Sequence, residues 1–286
     1  MSQQTNDAEE VVVVTGAGGM GGAVARRIGS GYTVILADAS GTQLDAAVES
    51  LRAEGYAALG VVTDVSDRGS VEKLARAAAD VGWISAVVHT AGVSAATSTP
   101  RRILEVDLVG TAHVIDVFES MASRGTSLVC IASMAGHAAS LTREEEAALA
   151  LTPTDELLDL EAVRTVERSG DSIAAYMLAK RGNQLRVQAA ALAWNHRGAR
   201  VNSVSPGVIS TAMAQAESES DTGGHMLAML DACGIGRTGT PAEIADAVAF
   251  LTAPTSRYIT GTDLLVDGGQ AAWLRHHMAA VPAAAH

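Results

Sequence analysis

The chain has 286 residues, of which 48% are hydrophobic, and a formal net charge of −12. That much apolar material suffices for a core and excludes disorder of the whole chain, while the acidic balance excludes sequence-independent binding to nucleic acid or to anionic membrane surfaces. Cys130 and Cys233 are the two cysteines, too few for a disulfide framework or a metal-ligand cluster, so no metal site is expected and Cys130 reads as a small buried hydrophobe.

Residues 1–10, MSQQTNDAEE, are polar and acidic without a signal pattern and are expected to be disordered. Apolar stretches break well before the roughly 18 residues that a membrane helix needs, so a soluble, cytoplasmic protein is expected. From there β-rich runs alternate with helical ones: VVVVT before a helix at 18–29, YTVILAD before 41–54, AALGVVTD before 68–81 and WISAVVHT before 101–123. TSLVCIAS at 126–133 follows, then a long helix from about Asp171 to His196, the strand ARVNSVS, a helix after Thr240–Pro241 and a final strand TDLLVDGG. Near-continuous apolar strands imply burial on both faces. The reading is an α/β fold in one domain, residues 11–272, a doubly wound parallel sheet with helices on both faces and a tail at 273–286.

Two segments interrupt the rhythm. In 137–170, Thr142 precedes Glu145 by three residues and Thr152–Pro153 precedes Asp155, which predicts two short inserted helices. The stretch 206–239 mixes methionines with ESESDTGG, as in a flap. Both follow the carboxyl ends of strands, where open α/β sheets bind ligands, so a lid is expected; an ordinary surface excursion is the other reading.

VVVVTGAGGMGG, residues 11–22, sets a strand, a glycine turn and a helix start in series. Such a turn offers unpaired N–H groups and the positive end of a helix dipole to a pyrophosphate. Gly16, Gly18, Gly19, Gly21 and Gly22 supply the space, although glycines alone also suit methyltransferases or structural turns. Asp38, at the end of the next strand, can accept hydrogen bonds from ribose hydroxyls and repel a 2′-phosphate. NAD(H) is therefore expected over NADP(H); a helix cap is the alternative role for Asp38.

YMLAK places Tyr176 and Lys180 four residues apart on one helix face. A cation beside a phenol favours phenolate, which suits a general acid/base for alcohol and carbonyl interconversion. Ser133, closing a strand, would reach the same edge as the glycine turn and could bond a carbonyl oxygen, or simply cap a turn.

Together with DVSD at 64–67, HTAG at 89–92, VNSVSPGVIST at 201–211 and TGTDLLVDGG at 260–269, these motifs make residues 11–269 resemble the short-chain dehydrogenase/reductase family. The resemblance implies a Rossmann fold, with Tyr176 exchanging the proton, Lys180 holding the nicotinamide ribose and tuning Tyr176, and Ser133 orienting the substrate oxygen. It places Gly16, Gly18, Gly19, Met20 and Gly21 around the pyrophosphate, Asp38 at the ribose, and Asp64 and Val65 near the adenine. Thr90, Ala91 and Gly92 would pass close to the NAD cofactor, and Pro206, Val208 and Thr211 would lie at the carboxamide. A homotetramer or homodimer is implied as well.

Four departures stand out. Met20 occupies a usual glycine position, so the glycines are fitted as Gly16, Gly19 and Gly22. His89–Thr90 replaces two asparagines, and His89 reads as a satisfied buried histidine. Asp107 replaces the asparagine of a proton relay; an ionised Asp accepts but cannot donate, yet it gives Lys180 a counter-charge. Finally, the Ser133–Tyr176 gap is long, as in some bacterial members acting on hydroxysteroids; the insertion could cover an apolar substrate or pack on a neighbouring subunit. His137, four residues past Ser133, reads as a surface loop histidine, with lining the pocket as the other reading. The expected function is an NAD-dependent interconversion of a small hydrophobic secondary alcohol and its ketone, steroid-like or terpenoid-like. An NAD(H)-binding regulatory protein with vestigial machinery is the competing reading.

Overall fold

A computed structural model describes residues 9–211, 230, 231, 233 and 235–276. Its strands are β1 (Glu10–Thr15), β2 (Thr33–Asp38), β3 (Ala57–Val62), β4 (Trp83–His89), β5 (Ser127–Ile131), β6 (Arg200–Pro206) and β7 (Asp263–Val266). They form one sheet in the order β3-β2-β1-β4-β5-β6-β7, with every pair parallel. The helices are α1 (Gly19–Ile28), α2 (Gly41–Ala53), α3 (Arg68–Val81), α4 (Pro100–Ile103), α5 (Gly110–Met121), α6 (Arg143–Leu151), α7 (Glu161–Ser169), α8 (Ser172–His196), α9 (Pro241–Thr252) and α10 (Gln270–His276).

Apolar runs such as Val11–Val14 in β1 dictate a two-sided core. Val11 and Val13 face Val71, Leu74, Phe118, Val187 and Trp194 of α3, α5 and α8. Their neighbours Val12 and Val14 face Val24, Leu44, Val48, Ile244 and Val248 of α1, α2 and α9. Helices thus cover both faces, as the doubly wound reading expects. The strand order reverses between β1 and β4, where Thr15 pairs with His89 and a crevice opens at the carboxyl ends.

The helix expected at 101–123 is not uniform. Between α4 and α5, Leu104–Val109 winds as a π-helix, and the Gly110 N–H donates to the Glu105 carbonyl five residues back. Nothing in the sequence announces it.

In the insertion, Thr142 and Glu145 form the expected capping box and start α6. Thr152–Pro153 leads only into a 3-10 stretch, Thr154–Asp159, and α7, closed by Gly170 in a left-handed conformation, was not foreseen. Leu149, Leu157 and Val163 are fully buried against Ile103, Leu104, Leu108, Ala175 and Ala179. Buried Arg186 of α8 donates to the carbonyls of Leu149 and Thr152 and to Thr154 Oγ1. Leu149, Leu157 and Val163 of the insertion thus pack on helices of their own chain, while Leu151 is exposed.

Most of the expected flap, 212–229 with 232 and 234, lies outside the described residues, as do 1–8 of the N-terminal segment and 277–286 of the tail. Glu10 belongs to β1 and residues 273–276 to α10. Among the described residues no helix is long and apolar enough to cross a membrane.

Candidate active site

The glycine turn lies in the β1/β4 crevice. At Gly16, with φ +89°, a Cβ would come within 2.7 Å of Thr90 Oγ1 and 2.8 Å of the Ala91 nitrogen. At Gly21 it would stand 1.8 Å from the Gly16 carbonyl oxygen, whereas at Gly22 it would meet only Arg26 Nη1 at 3.1 Å. This corrects the expected fit: the glycine that lets helix and turn close-pack is Gly21, not Gly22. Around Gly18 there is open space, and this N-cap residue gives the first turn of α1 no side-chain partner. Met20 packs its side chain toward the core, leaving its backbone to the turn. Thr211 stands over Gly19, with Cγ2 3.6 Å from where a Cβ would be. A cradle kept free of side chains, at an uncapped helix N-terminus, fits a dinucleotide pyrophosphate.

Asp38 braces this turn. Its Oδ2 accepts the Ala17 N–H at 2.8 Å and its Oδ1 the Ser40 N–H at 2.8 Å, so it supports the turn and the α2 entry together. Each oxygen keeps a lone pair for a ribose hydroxyl. No lysine or arginine occurs from Ala37 to Gln43. Asp64 takes the N–H and O–H of Ser66 on Oδ1 and Arg102 on Oδ2. Partial burial would raise its carboxyl, but the Ser66 bonds and Arg102 outweigh this and hold it below the usual range. Val65 is buried over Gly110, and its carbonyl accepts from His113. Pro206 ends β6; the Val208 N–H donates to Gln270 Oε1 and its carbonyl accepts from Gly239, leaving one carbonyl lone pair for a ligand.

Lys180 and Asp107 meet beneath Gly92. Lys180 Nζ lies 3.3 Å from Asp107 Oδ2 and 5.2 Å from the centroid of the Tyr176 ring. The Val93 N–H donates to Asp107 Oδ1 at 2.8 Å. A Cβ on Gly92 would come within 3.2 Å of Asp107 Oδ1 and 3.4 Å of Lys180 Nζ. Burial pushes the Asp107 carboxyl up despite the opposing pull of Lys180. For Lys180 burial works downward, but Asp107 and Tyr176 outweigh it and the ammonium is held above its ordinary range. The expected counter-charge is present.

Ser133 caps a 3-10 turn, Met134–Ala138, by accepting the Ala135 N–H on Oγ at 3.2 Å. Its carbonyl accepts Gln184 Nε2 of α8, and at Gly136 a Cβ would strike the backbone of Lys180 and Arg181. The turn carrying Ser133 is thus seated on the helix that carries Tyr176 and Lys180.

His89 is fully buried and doubly bonded, as expected. Thr111 Oγ1 gives its proton to the Asp107 carbonyl, so it accepts from His89 Nε2–H; Nδ1 then accepts from Thr15 Oγ1. Burial, with Lys180 nearby, pushes its pKa down to about 3. His137 departs from its expected role as a surface loop residue. Its Nε2 lies 2.8 Å from Asp263 Oδ2 of β7, a partner with side-chain exposure of only 7%. No local pattern could have paired residues so far apart, and Gln184 and Thr111 were missed for the same reason.

A family model described as short chain dehydrogenase matches residues 10–144, and one described as enoyl-(acyl carrier protein) reductase matches 158–271. The chain is 38% identical over 278 residues to short-chain dehydrogenase/reductase bsc3 of Alternaria brassicicola, covering 96% of this chain and 98% of that protein. It is 32% identical to cis-4-hydroxycyclohexanecarboxylate dehydrogenase of Sinomonas cyclohexanicum, covering 93% and 98%. The solved 3-alpha-hydroxysteroid dehydrogenase from Pseudomonas sp. B-0831, complexed with NADH, superimposes with a TM-score of 0.74 at 26% identity, covering 94% and 99%. Along nearly its whole length, then, the chain belongs to the short-chain dehydrogenase/reductase family and is an oxidoreductase acting on CH–OH groups.

Proposed function

We propose that the protein is an NAD-dependent dehydrogenase that interconverts a hydrophobic, ring-borne secondary alcohol and its ketone. The observation that carries this reading is the gathering of Tyr176, Lys180 and Asp107 under Gly92, beside a glycine turn that a side chain would block. Bound NAD would supply the hydride acceptor, and NADH the donor in reverse. Gly16 to Gly21 and Thr90 to Gly92 would hold its backbone, Asp38 its adenosine ribose, Asp64 and Val65 the adenine, and Pro206, Val208 and Thr211 its carboxamide end. Tyr176 takes the proton from the substrate hydroxyl, or returns it to the ketone oxygen, and Ser133 Oγ–H bonds that same oxygen. Lys180 keeps positive charge next to the phenol, and Asp107 keeps Lys180 charged.

NAD is favoured over NADP because Asp38 would face a 2′-phosphate with no cation nearby in 37–43. The substrate class is suggested by two relatives whose names denote cyclic alcohols, cis-4-hydroxycyclohexanecarboxylate and 3-alpha-hydroxysteroids. We assign a cytoplasmic homo-oligomer, for which sedimentation is the direct measurement. Tyr176→Phe is the decisive variant: turnover of these cyclic alcohols with NAD should vanish while NADH still binds, as read by its fluorescence. Retained turnover would take the proton role away from Tyr176. Tight NADH binding by the unaltered protein, without turnover of any secondary alcohol, would instead favour a regulatory protein.

A further inference from the structure

Behind Ser133 runs a second polar network that the proposed chemistry does not use. Asp263 of β7 gathers three donors: Ser203 Oγ at 2.6 Å and Ser205 Oγ at 2.9 Å on Oδ1, and His137 Nε2 at 2.8 Å on Oδ2. Ser205 Oγ, having given its proton to Asp263, accepts from Gln184 Nε2 at 2.9 Å. The second hydrogen of that amide goes to the Ser133 carbonyl at 3.2 Å. Gln184 Oε1 accepts from Arg181, whose guanidinium also grips Glu146 of α6 at 2.6 Å and 2.8 Å.

Every proton in this network has one consistent direction. Asp263 can only accept as a carboxylate, so His137 must carry hydrogen on Nε2, and the Gln184 amide is fixed with its nitrogen toward Ser133 and Ser205. Gln184, Ser203 and Ser205 are fully buried, so no water competes for these bonds and each missing partner would leave a costly orphan.

The geometry matters because of what lies between the two anchors. Ser133 caps the 3-10 turn and His137 lies within it, and Gly136 between them rests on the backbone of Lys180 and Arg181 with no room for a Cβ. A five-residue 3-10 turn holds little stability of its own. Here it is fastened at its N-cap residue, Ser133, by Gln184, at its middle by contact with α8, and near its end by Asp263.

We propose that His137, through Asp263, is a positioning residue that fixes the turn bearing Ser133 against the helix bearing Tyr176. This rests on the reading of Ser133 as the group that orients the substrate oxygen. Releasing the far anchor frees the turn to shift, and displacements well under an ångström at an orienting hydroxyl reduce turnover without touching cofactor affinity. The same network reaches Glu146, so the insertion is tied to the turn through Arg181.

The test compares His137→Leu, which keeps bulk but has no donor, with His137→Gln, which restores an N–H, using cis-4-hydroxycyclohexanecarboxylate and a 3α-hydroxysteroid as probes with NAD. In His137→Leu, kcat should fall about 10-fold or more while the dissociation constant for NADH stays unchanged, and His137→Gln should recover most of the loss. Amide exchange at Ala135 and Gly136 should quicken in His137→Leu alone, a readout that needs no substrate. If His137→Leu does not fold, His137→Ala, which also removes the donor, takes the same measurements. Unchanged kcat and exchange, or equal impairment by Leu and Gln, would overturn the proposal. Ser133→Ala separates the two levels: full turnover in that variant removes the reading of Ser133 itself, whereas its loss beside an unaffected His137→Leu sinks only the positioning role.

Discussion

Lys180 Nζ stands 3.3 Å from Asp107 Oδ2, with the carboxylate wholly buried and the lysine side chain 7% exposed. Burial by itself would lower the pKa of the ammonium; Asp107 and Tyr176 outweigh it and hold it above the ordinary lysine range. Because the folded value lies above 10.5, the favourable contribution of Lys180 to stability is complete at neutral pH and is lost only as pH rises through that folded value. Asp107→Asn should move the alkaline limb of the activity profile to lower pH and cost about 3 kcal/mol of stability, since it leaves a buried cation unpaired. A pH–rate series and urea unfolding measure both. An unmoved alkaline limb would show that another group keeps Lys180 charged.

Asp38 holds the glycine turn and would also read the ribose. Asp38→Arg should raise the ratio of kcat/KM for NADP to that for NAD by roughly 10- to 100-fold, the range expected when a charge-assisted hydrogen bond is replaced by repulsion on one side and attraction on the other. Steady-state kinetics with both dinucleotides give the ratio directly. No change in preference would mean that the ribose is recognised elsewhere.

Gly21 and Gly22 are neighbours with opposite expectations. Gly21→Ala drives a methyl into the Gly16 carbonyl and should lower stability by about 1–3 kcal/mol together with NADH affinity. Gly22→Ala meets only the movable end of Arg26 inside α1 and should be neutral or stabilising by up to about 1 kcal/mol. Thermal melts with and without NADH distinguish the two.

His89 is held neutral, with a pKa of about 3 against 6.5 for an ordinary histidine. Between those values the unfolded chain binds a proton that the folded one refuses, so stability falls as pH drops. By pH 4.5 this residue alone should account for a loss of about 2–3 kcal/mol relative to neutral pH. His89→Asn, which cannot titrate, should flatten that part of the stability curve measured by denaturant unfolding. An equally steep curve in the variant would assign the acid sensitivity to other groups.

The architecture was legible because burial on two faces writes itself into unbroken apolar runs such as Val11–Val14, and turns into Gly and Asp at their ends. Tyr176 and Lys180 were legible because helical spacing is a local property. The choice between Gly21 and Gly22 was not, since it depends on a through-space approach to Gly16 that no count along the chain reveals. His137 looked like a loop residue for want of a visible partner; Asp263 enters only when β7 docks beside β6. The π-helix escaped because LEVDLV has unremarkable helical propensity, and α7 because its start at Leu160 has no side-chain cap.

The wide turn at Leu104–Val109 restricts how this sequence can drift. Deleting one residue there would restore an ordinary α-helix with tighter hydrogen bonding, which on local grounds is an improvement. It would also rotate everything on one side against the other by about 100°. Arg102 reaches Asp64 from before the segment and Thr111 reaches His89 from after it, so the shortened helix could keep one of these anchors but not both. Length variation among descendants of this protein should therefore spare that segment.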